Sequence, residues 1–344
     1  MIRVQAIFEQ KAREGIFSGE IMIAKDQIIK YQAVFGQNID EVPLQNNAVF
    51  ELASVSKPIT ALGIMLLQQQ GKLQYDDAVA QYLTPFPYPA LTIRQLLNHS
   101  SGLPDYMALI EQYWSCENIA TNEDVLQLLN THQQPLLFTP DTKQSYSNTG
   151  YVCLAQIITE ITGSYTQFMR QVIFEPLQMQ QTAVYHRRYT KQVIPSLAYG
   201  LIHCDNKFVL PDTLHAYDFV RYLDGIQGDG MVHATAQDLL KLSNVWQEDA
   251  LLHVANRQAI TAPNQTFAQG IANRMGWFFS CHPQLGQKLY HTGSWPGYAT
   301  CMSMYLDTGY TVIILCNVEQ NTHIAEQESA SDWLQYIEDV LVDG

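Results

Sequence analysis

The chain has 344 residues, of which 47% are hydrophobic and 15% charged, and a formal net charge of −14. Such a composition supplies a core for one large domain or two smaller units and excludes a disordered chain. The acidic surface repels phosphate, which makes nucleic acid and anionic membrane poor partners.

The N-terminal stretch "MIRVQAIFEQKAREG" carries Glu9, Lys11 and Arg13 and lacks the apolar core of a secretion signal. A cytoplasmic protein is the simplest expectation; a periplasmic or secreted chain trimmed of its leader would read the same. Val4, Ile7, Phe8 and Lys11 follow helical spacing, with Gly15 as the stop. "GEIMIAK" and "QIIKYQAVFG" read as two strands joined by a tight turn at Asp26-Gln27.

Ser54 is expected to open the first long helix, which Gly71 closes, with Pro58 tolerated in its first turn. The longest apolar run, Ile59 to Leu67, is too short to span a bilayer. Beyond it "TIRQLLNHSSGLP" predicts a short helix running into a loop. Capping boxes are expected at Thr121 to Asp124 and at Thr235 to Asp238. "TGYVCLAQIITEITG" is helical in its spacing, and about 180 to 230 is loop-rich. From about 274 the runs "MGWFFSC", "QKLYHTG", "YATCMSMYLDTG" and "YTVIILCN" predict four strands, and "IAEQESASDWLQYIEDVLV" predicts an amphipathic closing helix.

That order implies an α/β fold of the α+β type. One antiparallel sheet is built from both chain ends and carries the terminal helices, with a large helical insertion between. The expected boundaries are 1–52 and 256–344 for the sheet domain and 53–255 for the insertion, with the site at their interface.

The cysteines at 116, 153, 204, 281, 301 and 316 form no CxxC and no zinc spacing, so no metal is expected. Cys301 and Cys316, in strand-like runs, read as small core hydrophobes.

Three short motifs stand out. In Ser54-x-x-Lys57, positions i and i+3 share one helix face, so the amine can reach the serine oxygen and take its proton. The plain alternative is a capping serine beside a solvated lysine. Tyr146-Ser147-Asn148 offers a proton-shuttling phenol and an amide, or else a polar turn in which Asn148 or Thr149 caps the next helix. His291-Thr292-Gly293-Ser294 ends a strand whose open edge could pair with a substrate backbone and offer N–H groups to an oxyanion, or else is an ordinary turn.

These three motifs in this order and context resemble the penicillin-binding and serine β-lactamase superfamily. The likeness is nearest to the branch of class C β-lactamases, Streptomyces-type D-alanyl-D-alanine carboxypeptidases and β-lactamase-like esterases. "TIRQLLNHSSGLPDY" and "GDGMVHATAQDLLKL" agree with that branch as well.

The resemblance implies that Ser54 is the nucleophile, with Lys57 its activator and Tyr146 the general base and acid. It implies that Asn148 holds a substrate amide, that His291 supplies polarity, and that the N–H groups of Ser54 and Ser294 form the oxyanion hole. Tyr106 would line the cleft. Ser56 is open between a helper in the Lys57 network and a first-turn cap.

A histidine at 291 stands where many relatives carry lysine, and it is expected to gain charge as pH falls from about 8 to 6. The substrate class is a small ester, amide, peptide or β-lactam, with an acylated Ser54 as intermediate. A D-alanyl-D-alanine carboxypeptidase, a D-aminopeptidase, a β-lactamase and an inactive binding protein of the same fold are the alternatives. No Gly-x-Ser-x-Gly elbow, His-Glu-x-x-His or phosphate-binding loop is present, and no cofactor is implied.

Overall fold

The computed structural model describes residues 1–191, 193–204, 207–246, 251–261, 272–320 and 328–343, without the side chain of residue 320. Its strands are β1 (Gly19–Lys25), β2 (Ile28–Phe35), β3 (Phe50–Glu51), β4 (Ala183–Val184), β5 (Leu201–Cys204), β6 (Lys207–Val209) and β7 (Val232–Ala234). They continue with β8 (Ala272–Arg274), β9 (Trp277–His282), β10 (Gly286–Trp295), β11 (Tyr298–Tyr305), β12 (Tyr310–Cys316) and β13 (Val318–Gln320). The main sheet has the antiparallel order β2-β1-β12-β11-β10-β9-β8, so the first two strands join β8 to β12, while β13 pairs with β5 in a small sheet of order β13-β5-β6.

Asp26 and Gln27 both take positive φ, 50° and 63°. Two left-handed residues in a row make the two-residue turn whose twist matches a hairpin, and this sets the β1–β2 register. Both faces of the sheet are covered, which is why "EIMIA" is apolar at consecutive positions instead of alternating. Ile21 and Ile23 face one core with Val312 and Ile314; Met22 faces the other with Ile313 and Leu315.

The first face is closed by the N-terminal helix Ile2–Arg13 and the C-terminal helix Ala330–Asp343, through Val4, Phe8, Trp333 and Ile337. The predicted start of the closing helix, at Ile324, lies outside the described residues. Against the second face lies the helical region, whose central members are the helices Ser56–Gln69 and Asn148–Thr162. Cys301 and Cys316 are buried in the sheet, and burial pushes their thiols up to about 12 and about 11.

The helix Asn122–His132 starts with the expected box, Asp124 accepting from the Thr121 N–H at 2.8 Å. At the helix Ala236–Ser243 only half the box forms. Thr235 accepts from the Asp238 N–H, but the Asp238 carboxylate turns to the Gln181 N–H, Thr182 Oγ1 and Lys241 instead. There it ties two segments together instead of capping its own helix.

Trp333 carries the closing helix. Its ring meets Phe17 edge-on at 5.1 Å, and its indole N–H donates to Glu328 at 2.9 Å. Trp333→Ala should therefore destabilise the protein by about 3–5 kcal/mol in a urea titration, the usual cost of emptying a buried aromatic position.

Candidate active site

The chain reaches the site through β3, which pairs with β7 in a small sheet of order β3-β7-β4. After it, residues Ala53–Val55 make a single 3₁₀ turn, and the α-helix begins only at Ser56. Ser54 therefore sits in the turn before the helix and not at its first position, a correction of the expected start. Ala53 has φ 48°, a left-handed conformation that costs a residue with a Cβ roughly 1–2 kcal/mol.

The surrounding structure holds that turn in place. The Leu52 N–H donates to Val232 O at 2.9 Å, and Leu52 O accepts from Thr300 Oγ1 at 2.7 Å. A Cβ on Gly293 would lie 2.4 Å from Leu52 O and 2.3 Å from Thr300 Oγ1, so only glycine lets β10 approach the nucleophile turn this closely.

Lys57 is fully buried. Its Nζ donates to Ser54 Oγ at 2.9 Å and to the backbone carbonyl of Asp229 at 2.8 Å. It is thus no solvated lysine, and the i, i+3 reach survives although Ser54 precedes the helix. Ser56 belongs to neither alternative set out above, because its Oγ accepts from the Val232 N–H at 3.2 Å. Thr60, one turn further, donates to Gly228 O at 2.6 Å. Three successive polar side chains of this helix thus fasten the backbone of residues 228–232.

That segment carries Asp229, which the sequence reading did not single out. Its Oδ2 accepts from the Tyr106 hydroxyl at 3.0 Å. Burial raises the Asp229 carboxyl, and Lys57 beside it pulls the other way. Tyr106 lines the cleft at the start of the helix Tyr106–Tyr113, whose N-cap is Asp105.

Tyr146 lies in the loop before the helix Asn148–Thr162, where Ser147, and neither Asn148 nor Thr149, is the cap. Its ring centroid is 4.9 Å from Lys57 Nζ. Gln144 ties this loop to β8, donating to Asn273 O at 2.6 Å and accepting from its N–H at 3.0 Å. Asn148 lines the same cleft as Ser54.

His291, Thr292, Gly293 and Ser294 lie within β10 and pair with β11, His291 opposite Met302 and Ser294 opposite Ala299. Pairing of β10 with β9 runs only from Gly286 to Tyr290, so the motif has one strand neighbour and one open edge. His291 is buried, and its Nδ1 donates to Thr292 O at 2.6 Å. Burial, with Lys57 nearby, depresses its pKa to about 3. The expected gain of charge between pH 8 and 6 is therefore corrected: the ring is neutral throughout that range.

Beside Ser54 opens a cavity of about 360 Å³ whose walls include Tyr106, Asn148, Phe219, Met231, Ser294 and Trp295. The charged side chains of its lining are Glu51, Asp229 and Glu319, all acidic. Glu51 is buried, which raises its pKa to about 7 against the opposing pull of Arg188. Glu319 accepts from the Gly297 N–H at 2.9 Å and from the Tyr217 hydroxyl at 3.2 Å. Glu51 lies in β3 and Glu319 in β13, strands of two different small sheets, so no motif spacing links them. Among the described residues no group of three or more His, Cys, Asp or Glu is arranged to hold a metal, and no helix is long and apolar enough to cross a membrane.

A serine oxygen bonded to a buried lysine, where an antiparallel sheet meets a helical region, defines a serine hydrolase of the acyl-enzyme class. Residues 4–336 match the family model described as Beta-lactamase, and the chain belongs to that family. It is 40% identical over 325 residues to penicillin-binding protein 4* of Bacillus subtilis, covering 93% of this chain and 72% of that protein.

Among solved structures, a penicillin-binding protein from Bacillus halodurans superposes with a TM-score of 0.82 at 23% identity, covering 98% of each chain. A D-amino acid amidase from Ochrobactrum anthropi SV3, complexed with D-phenylalanine, gives 0.79 at 22% identity, again covering 98% of each chain.

Two outcomes follow from this geometry. Gly293→Ala should displace the Ala53–Val55 turn and lower kcat by about 10²-fold, the scale of an ångström's misplacement; a stopped-flow ester assay reads it directly. His291, with a pKa of about 3, stays neutral between pH 8 and 6, so the lining group that titrates there is Glu51, at about 7. The ratio of kcat/KM for nitrocefin to that for a neutral short ester should rise as pH falls through 7, and the rise should vanish in Glu51→Gln.

Proposed function

We propose that this serine hydrolase forms its acyl-enzyme on Ser54 and acts on esters or amides whose acyl group carries a free ammonium, D-aminoacyl groups foremost. Ser54 Oγ attacks the carbonyl carbon while its proton passes to the Lys57–Tyr146 pair. The carbonyl oxygen becomes an oxyanion facing the N–H groups of Ser54 and Ser294. As the tetrahedral species collapses, the leaving nitrogen or oxygen takes the proton from Tyr146. Water then repeats the sequence on the acyl-enzyme and frees Ser54. Asn148 holds the acyl group across the cleft.

The observation that carries the substrate class is that the ionisable side chains of the cleft lining, Glu51, Asp229 and Glu319, are all acids; burial raises the first two, so their negative charge grows with pH. A penicillin or a C-terminal D-alanine brings a carboxylate, which this wall repels and which the neutral His291 does not attract. An α-ammonium suits it. The structural likeness to a D-amino acid amidase supports the same reading.

The test compares D-alanine p-nitroanilide with its N-acetyl derivative and with nitrocefin. One charge-assisted hydrogen bond is worth about 1.5–3 kcal/mol, so kcat/KM should favour the free amine by about tenfold or more. Glu319→Gln should shrink that preference, while the neutral N-acetyl compound changes little. Peptide mapping after fluorophosphonate treatment should place the label on Ser54. Equal rates on the two anilides would overturn the substrate class, and a label on Ser56, Ser100 or Ser294 would overturn the nucleophile.

A further inference from the structure

Tyr146 is 42% exposed, and among the described residues its hydroxyl has no hydrogen-bond partner within the protein. Its ring, by contrast, is surrounded. His99 stacks on it at 4.6 Å and 30°, Phe278 lies at 6.2 Å and 24°, and His291 at 6.0 Å and 47°. Phe278 and His291 stack on each other at 4.7 Å. The four rings come from the loop after the short helix Ile93–Leu97, the loop before Asn148–Thr162, β9 and β10.

The polar atoms of His99 are accounted for. Its Nδ1 accepts from the Ser147 N–H at 3.0 Å, which places the ring hydrogen on Nε2. Nε2 is buried and has no partner. Burial, Lys57 and His291 hold its pKa well below the usual histidine value, so the ring is neutral. A neutral imidazole with one nitrogen on a backbone amide and the other unpartnered has no route for relaying a proton. Its remaining contribution is a flat face. The residue also takes a φ of 55°, which asparagine and histidine tolerate better than most.

Building on the acyl-enzyme reading, we propose that His99 is a positioning residue: its flat ring, stacked on the Tyr146 phenol with Phe278 and flanked by the tilted ring of His291, fixes that phenol beside Lys57. Held by its faces, the phenol keeps its hydroxyl unbonded and ready to exchange a proton with Ser54 and the leaving group. A tyrosine anchored through its hydroxyl would have to break that bond in every cycle.

Two substitutions separate the ring from the backbone role. His99→Asn keeps an acceptor for Ser147 and suits the left-handed backbone, but has no ring. His99→Phe keeps the ring and loses the acceptor. With the ester that the wild type turns over best, His99→Asn should lower kcat by about 10- to 100-fold, with KM within about threefold. His99→Phe should recover most of that loss.

In a Tyr146→Phe background the asparagine should add less than about threefold, because groups acting as a unit are non-additive. Phe278→Leu should behave like His99→Asn, and it carries the test if the latter fails to fold. Wild-type kcat in His99→Asn, equal losses in the Asn and Phe variants, or a full loss retained without the Tyr146 hydroxyl would each overturn the proposal. Fluorophosphonate mapping of each variant runs in parallel. A label away from Ser54 sinks the acyl-enzyme reading, whereas a label on Ser54 with an unchanged kcat sinks only the role of His99.

Discussion

The structure turns on a lysine with no access to solvent. Lys57 is fully buried, and a buried amine is costly unless its N–H donors are matched. Two are matched within the protein, one by Ser54 Oγ and one by the Asp229 carbonyl. These two bonds lock the nucleophile turn and the 228–232 segment to the same helix. Ser56 and Thr60 reinforce the second lock through Val232 and Gly228. Breaking the Asp229 contact would leave an N–H donor unpaired in the core, so the requirement for a buried partner organises a segment far away in sequence.

Around this centre the electrostatics are arranged by burial more than by charge count. His99 and His291 are near enough to Lys57 to feel it, and both are kept neutral by burial, with Lys57 acting in the same direction. Neutral rings can pack against Tyr146 without adding a positive charge beside Lys57. The carboxylates lie on the cleft wall instead, at Glu51, Asp229 and Glu319. The result is a lysine behind Ser54 and a cleft wall whose ionisable side chains are acids.

Parts of this were legible in the chain because they are local. The i, i+3 spacing of Ser54 and Lys57 survives a helix that starts two residues later than expected, since the 3₁₀ turn leads into it without a break. Asp26-Gln27 is a turn between two strands adjacent in sequence, and the alternation of Ile21, Met22 and Ile23 between two cores explains an unbroken apolar strand. What was not legible depends on partners brought by the fold. Asp229 meets Lys57 through a backbone carbonyl, which no side-chain pattern records. Ser56 looked like a cap or a helper because its real partner, the Val232 N–H, is invisible in sequence. His291 looked titratable because its pKa depends on a burial that sequence does not report.

The sheet supplies the last constraint. β10 must both continue the sheet and leave one edge open to the cleft. It does so by pairing with β9 only as far as Tyr290 while keeping β11 along its whole motif. The glycine at 293 then lets the carbonyl of Leu52 come against the strand, with Thr300 Oγ1 bonding that carbonyl from β11. The strained Ala53 and the nucleophile behind it are held between the open edge and the helix that carries Lys57. The sheet therefore fixes the register between Ser54 and the N–H groups of β10, while the helix fixes the register between Ser54 and Lys57. A serine gripped from both sides has little freedom left to lose when a carbonyl arrives, and that pre-paid order is what a positioned nucleophile contributes to rate.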